Sequence, residues 1–260
     1  MYRPRIIPVL LLRKNYLVKT VRFQQPTYIG DPINAVRIFN DCKADELVLL
    51  DMNATREQRL ISTELLRDIS EEAQMPFAAG GGIRTLDHIR EVIAAGAEKV
   101  ILQSEAMIRP EFIREAADAF GSSSITVCMD VKKNWLGKLH TYSHAGTKKT
   151  PYAPVELAQR IQQLGAGELL IQCIDRDGMM NGYDLGLLNE IARAVDIPVV
   201  ALGGAGSLSD LQHAYTTCEI QGLAAGSLFV YNNKNKGVLI NYPDRNTKKN
   251  IFQLPASSLR

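Results

Sequence analysis

Three glycine-bearing clusters, Ile174-Asp175-Arg176-Asp177-Gly178, Gly203-Gly204-Ala205-Gly206 and Ala225-Gly226-Ser227, carry the clearest chemical signal in the 260-residue chain. Each follows a short apolar β-type run and precedes a helix-type run. Glycine there lets backbone N–H groups approach a ligand closely, and a following helix N-terminus adds partial positive charge, so adjacent loops of this kind suit a phosphate. One such cluster alone is equally well read as relief of crowding in a tight turn; two adjacent clusters favour an anion site built from Gly178, Gly203, Gly204, Ala205, Gly226 and Ser227. Asp130 closes another apolar run, and alternation with Thr126 and Cys128 points it to the same end, where a carboxylate can act as general acid or base. A helix-capping or loop-bracing role is the alternative for that aspartate, but its position at a strand's C-terminal end favours the chemical reading. Asp177 can orient substrate hydroxyls or its own loop, and Lys19, in a long polar connection, can fold over a phosphate or remain solvated.

The elements that must position these residues alternate strictly. Strand-type runs lie at Ile6–Leu12, Glu46–Met52, Pro76–Ala79, Lys99–Gln103, Ile125–Val131, Glu168–Cys173, Ile197–Leu202 and Gln221–Ala225. Amphipathic stretches separate them at Pro32–Lys43, Thr55–Gln74, Leu86–Ala95, Pro110–Phe120, Pro154–Leu164, Leu187–Val195 and Leu208–Thr217, with Asp31, Thr55, Thr85 and Asp184 as candidate N-caps. Alternation of this kind predicts a parallel sheet closed by helices, and eight strands in a chain near the ~250 residues typical of the fold predict a (β/α)8 TIM barrel over residues 1–230. Two connections, Arg13–Gly30 and Lys132–Thr150, are long enough to expect functional loops. Beyond Phe229 the helical period fades, and residues 231–260 are expected as a polar, partly disordered tail that replaces or shortens the last helix.

Internal repetition predicts two half-barrels. Leu10 to Asn15 matches Met129 to Asn134, and Gly80 to Asp87 matches Gly203 to Asp210, at an offset of about 120 residues. The repeat places a second phosphate site at Gly81, Gly82, Gln103 and Ser104, opposite the first, so the pair would hold a substrate phosphorylated at both ends. It also puts Leu11 where the second half carries Asp130, leaving one acid group where two would be expected. At the other barrel end, Arg5, Glu46, Lys99 and Glu168 open four strands on the lumen side. Two cations and two anions can satisfy one another there as a breakable plug; charged strand starts that simply meet water are the alternative.

Bulk properties exclude several classes. Hydrophobic residues make up 46% and charged ones 22%, which suits a single globular unit, and a net charge of +2 is too small to make nucleic acid the main partner. No apolar run reaches the ~18 residues of a membrane span, and the N-terminus lacks the pattern of an export signal, so a cytoplasmic protein is expected. The four cysteines and four histidines show no ligand spacing; free thiols, no metal and no cofactor are the expectation.

Taken together, Arg5-Ile6-Ile7, Val18-Lys19, Gly30-Asp31-Pro32, Asp45-Glu46-Leu47, Phe77 to Ile83, Asp130, Gly165 to Glu168, Ile174 to Gly178, Gly182-Tyr183-Asp184 and Gly203 to Gly206 resemble the HisF family, the cyclase subunit of imidazole glycerol phosphate synthase. The resemblance spans the first strand to about Phe229. It implies a barrel that docks a HisH-like glutaminase on its N-terminal face and passes ammonia through a gated lumen to a doubly phosphorylated substrate. By the same resemblance Arg5, Glu46, Lys99 and Glu168 fall on the family's gate and Asp130 on one of its two catalytic aspartates. The other aspartate falls on Leu11, so the two-carboxylate pattern of histidine-pathway cyclisation is not met. The Leu10-Leu11-Leu12-Arg13-Lys14 start, Tyr28 to Ala35 and Ala225 to Phe229 look like the paralogous branch associated with glycosyl amidation in surface-polysaccharide (lipopolysaccharide) biosynthesis, which implies a separate sugar amidotransferase as a further partner. Two other readings remain beside it: an ordinary histidine-pathway cyclase, and a non-catalytic ammonia conduit.

Overall fold

The computed structural model describes residues 3–232 and 237–253. Strand β1 (Arg5–Arg13) runs into a hairpin of β2 (Tyr16–Val21) and β3 (Gln24–Gly30), and α1 (Pro32–Asp41) then leads to β4 (Leu47–Asp51). Next come α2 (Thr63–Glu72), β5 (Phe77–Gly80), α3 (Leu86–Ala94), β6 (Lys99–Leu102), the short α4 (Ser104–Ile108) and α5 (Glu111–Phe120). The second half opens with β7 (Ile125–Lys133), which continues into a second hairpin of β8 (Leu139–Ser143) and β9 (Lys148–Lys149). Helix α6 (Pro154–Gln163), β10 (Glu168–Cys173), α7 (Leu185–Ala192), β11 (Val199–Leu202), α8 (Leu208–Thr217) and β12 (Gly222–Ala225) follow, with α9 (Ser227–Val230) and α10 (Arg245–Ile251) last.

Strands β1, β4, β5, β6, β7, β10, β11 and β12 pair in parallel in that order, and β12 pairs with β1, so the sheet closes into a (β/α)8 barrel. Two apolar layers hold it. Outside the strands, fully buried Phe39, Phe112 and Phe229 lead the helix-facing layer, each worth roughly 1.5–3 kcal/mol of burial. Inside, Ile7, Val9, Val48, Ala78, Ile101, Cys128, Leu170, Val200, Leu202 and Ala224 fill the lumen. Alternation along each strand sends successive side chains to these two layers.

The half-barrel repeat is visible in the first connection of each half. Where long loops are expected after β1 and β7, the chain instead forms antiparallel hairpins, β1–β2–β3 and β7–β8–β9, at equivalent places. Their polar composition hid the pairing, although Leu17 and Ile29 of the first hairpin are buried in the core and Lys19, Thr20 and Thr141 are buried polar residues. Helix α2 also starts later than its amphipathic run suggests: Ser62, not Thr55, accepts from the Leu65 N–H as its N-cap. Residues 52–59 are drawn into a turn by Asp51, which accepts from the N–H groups of Asn53 and Ala54. Asp31, Thr85 and Asp184 do cap α1, α3 and α7.

The stretch expected as a polar tail departs from that expectation as far as residue 253. Tyr242 sits between the rings of Phe39 and Phe229, donates to the Ile6 carbonyl at 2.9 Å and accepts from the Asp45 N–H. Asp244 caps α10, whose Lys248 is buried and donates to the Lys43 carbonyl and to Asp45. A few anchors fix the segment, too sparsely spaced to leave a helical period. Residues 233–236 and 254–260, on which the expected disorder also falls, lie outside the described residues. Among the described residues no helix is long and apolar enough to cross a membrane.

Candidate active site and charged ring

At the C-terminal end of the barrel the loops enclose a cavity of about 800 Å³. Lys19, Asp130, Asp177, Gly81, Gly82, Gln103, Ser104, Gly178, Gly203, Gly204, Ala205, Gly226, Ser227 and Leu11 all line it. Residues far apart in the chain meet here because every strand's C-terminal end opens on the same face of the closed sheet.

Asp130 lies inside the mouth, 5% exposed. Burial, with a smaller push from the Asp177 charge, raises its pKa to about 7, although the Cys128 thiol, 3.8 Å away, donates to it and works in the opposite direction. Its other oxygen accepts from the Gln103 amide at 3.1 Å, and Gln103 in turn accepts from the Ser104 hydroxyl at 2.5 Å. One hydrogen-bonded chain therefore joins the first glycine-loop site to the acid. The Cys128 thiol is itself held neutral, its pKa raised well above the usual range by burial and then by Asp130.

Lys19 reaches back from β2, donates to the Val9 carbonyl at 2.5 Å and packs its ammonium directly against Gly226. Burial lowers its pKa to about 8, while the attraction of Asp177 limits the fall. The buried ammonium therefore stands beside Gly226 in the cavity wall. Asp177 is mainly a brace in this structure: it accepts from the Thr20 hydroxyl at 2.8 Å and from the Phe23 N–H, and its own carbonyl accepts from Arg22. Burial raises its pKa, with those two hydrogen bonds and Lys19 opposing the rise. Asp175, beside it, accepts from the Lys133 N–H, so the loop after β10 ties both hairpins to the rim.

The glycines are there for space. Gly82 has φ +70° and Gly204 φ +112°, and a Cβ on either would strike a backbone carbonyl, that of Arg59 or of Gly182. Sequence reasoning missed the support of the first loop: Asp51, buried at the end of β4, accepts from Arg59 at 2.6 Å and so fixes the segment against which Gly82 rests. A carboxylate closing a strand run, the signal that singled out Asp130, was present there too.

At the opposite end of the lumen, Arg5 bonds to Glu46 and, at 2.6 Å, to Glu168, while Lys99 lies 3.3 Å from each of the same two carboxylates. The four side chains form a closed ring of alternating charge with both glutamates buried. Burial alone would lower the Arg5 pKa, but the combined pull and hydrogen bonds of Glu168 and Glu46 outweigh it and raise the pKa. Cys128, Cys173 and Cys218 are buried free thiols and Cys42 is a half-buried one.

A closed parallel barrel with glycine loops and a buried acid at its C-terminal mouth and a charged ring at the other end defines the class: a (β/α)8 barrel whose cavity opens at the C-terminal face. A family model described as "Histidine biosynthesis protein" matches residues 5–235. The chain is 44% identical over 246 residues to "Putative imidazole glycerol phosphate synthase subunit hisF2" of Pseudomonas aeruginosa, covering 95% of this chain and 98% of that protein. It is 44% identical over 253 residues to the putative HisF subunit of Leptospira interrogans, covering 97% and 100%, and 43% identical over 232 residues to "Imidazole glycerol phosphate synthase subunit HisF" of Alkaliphilus metalliredigens, covering 89% and 92%. The chain belongs to the HisF family of histidine biosynthesis proteins.

Proposed function

We propose that this chain is the synthase subunit of a glutamine-dependent pair: a glutaminase docks on the N-terminal face, ammonia passes the Arg5–Glu46–Lys99–Glu168 ring, and it reacts in the C-terminal cavity with a phosphorylated sugar derivative. The observation that carries this reading is the alignment on one barrel axis of the charged ring, an apolar lumen and the cavity holding Asp130. The names of the relatives, each a subunit of imidazole glycerol phosphate synthase, support it. Neutral ammonia can cross an apolar lumen that would exclude ammonium. Asp130 supplies acid–base catalysis, Lys19 with Gly204, Ala205, Gly226 and Ser227 binds one phosphate, and Gly81, Gly82, Gln103 and Ser104 bind the other.

The branch we favour amidates a sugar precursor of a surface polysaccharide, together with a separate sugar amidotransferase, because the half-barrel repeat sets Leu11, which lines the cavity, at the position equivalent to Asp130. A histidine-pathway cyclase is the second reading, favoured by Asp130 itself, whose pKa of about 7 suits it to give and take a proton alone. General acid–base catalysis by one group is worth ~10²–10⁴ in rate. With ammonium supplied directly, the unmodified chain should therefore turn over the histidine-pathway substrate slower than a two-aspartate enzyme by about that factor, and Leu11→Asp should gain activity. Rescue of a histidine auxotroph by the unmodified gene at full growth rate would promote the second reading. A pair that channels ammonia yet alters no candidate sugar would instead mark a conduit.

A further inference from the structure

A side-chain amide on the cavity wall has no hydrogen-bond partner for its buried nitrogen among the described residues. Gln172, at the mouth end of the inward row of β10, is 4% exposed, and its amide nitrogen is buried without a hydrogen bond. Strand register sets it beside Asp130 on β7 and Leu202 on β11, and a Cβ placed on Gly203 would lie 3.1 Å from that nitrogen. It therefore stands between the acid and the loop Gly203–Ala205. A buried amide left unpaired costs stability, and the neighbouring lumen residues Cys128, Leu170 and Leu202 show that an apolar side chain packs well at this level. A ligand in the cavity that accepts from this amide would remove that cost.

We propose that Gln172 is a specificity-determining contact for the substrate, its amide meeting a neutral oxygen, hydroxyl or carbonyl, of a phosphorylated sugar whose phosphate lies at the Gly203–Ala205 and Gly226–Ser227 loops. This rests on reading those loops as an anion cradle. An amide offers one donor group and one acceptor, which matches a hydroxyl that both gives and takes a hydrogen bond. A second phosphate at this spot would face the Asp130 carboxyl and meet no cation from Gln172. Because Gln172 lies between the cradle and Asp130, the oxygen it reads belongs to the carbons nearest the phosphate.

Calorimetric titration of the full chain with inorganic phosphate and with ribose 5-phosphate separates the cradle from the contact. Gln172→Leu keeps similar volume without polarity, and Gln172→Met does so with an unbranched chain; thermal unfolding selects the variant that retains the fold. Inorganic phosphate should bind both variants as it binds the natural chain, whereas affinity for ribose 5-phosphate should fall about tenfold, the worth of one lost hydrogen bond in a closed site. A purely structural role would move both ligands together. If the ratio of the two affinities survives the substitutions, the assignment of Gln172 is overturned while the cradle stands. If the natural chain binds neither ligand, the anion-cradle reading itself fails.

Discussion

Burial acts in opposite directions on Asp130 and Lys19, both in the cavity lining. It raises the Asp130 carboxyl to about 7 and lowers the Lys19 ammonium to about 8, bringing both near neutrality from opposite sides. A carboxyl whose folded pKa is raised above its unfolded value near ~3.9 holds a proton that the unfolded chain has lost, so its stabilising contribution is complete below about pH 4 and is lost as pH rises to about 7. Asp130→Asn removes that penalty. The variant should be more stable than the natural chain at pH 8, by on the order of 2–4 kcal/mol, with little difference at pH 4 and with loss of activity. Urea unfolding at the two pH values checks this; equal midpoint shifts at both would mean that Asp130 is charged throughout. Lys19 predicts a matching feature of binding. A phosphate at the Gly204 and Gly226 loops favours the charged ammonium, so inorganic phosphate should bind with proton uptake and weaken as pH rises above about 8.

At the scale of elements, the glycine loops depend on close backbone contact rather than on sequence-specific side chains. Gly82 in the β5–α3 connection leaves no room for a Cβ against Arg59 and holds a positive φ. Gly82→Ala should cost about 1–3 kcal/mol in thermal or urea unfolding and weaken phosphate binding at the Gly81–Gly82 loop, leaving the Gly204 cradle intact. An unchanged variant would show that the loop moves freely. Helix α10 has a comparable dependence on one residue: Tyr242→Phe leaves the Ile6 carbonyl and Asp45 N–H without their partner and should destabilise by about 1–3 kcal/mol. The hairpins matter in another way, since Asp175 and Asp177 fasten both to the loop after β10 and so place Lys19 beside Gly226.

At the scale of the whole molecule, the ring and the cavity lie at opposite ends of one lumen, so they can be separated by mutation. Removing Lys99 leaves Arg5 to pair with both Glu46 and Glu168, and because the two cations of the ring are partly exposed the cost should fall below the ~3–5 kcal/mol of breaking a fully buried pair. Lys99→Ala in complex with the glutaminase should keep the fold and keep activity with external ammonium, yet lose the coupling of glutamine hydrolysis to ammonia use. Coupling that persists in the variant would remove the ring from the path.

Alternation of branched apolar runs with amphipathic stretches is a local property, and the eight barrel strands, seven of the helices and the capping roles of Asp31, Thr85 and Asp184 were legible from it. So was the repeat that points to paired glycine loops, because close backbone approach demands glycine whatever its surroundings. Features whose stabilisation comes from distant partners were not. The hairpins after β1 and β7 bury polar side chains, Lys19 and Thr20 in one and Thr141 and Ser143 in the other, that leave no apolar period, α10 hangs on Tyr242 and Lys248, and the late start of α2 depends on Asp51. Only closure of the barrel could set Lys19 against Gly226 and Gln172 beside Asp130, and only burial in that shared mouth could carry a carboxyl and an ammonium toward the same pH. Residue type and period are written along the chain, whereas solvation and proximity arise from which segments meet.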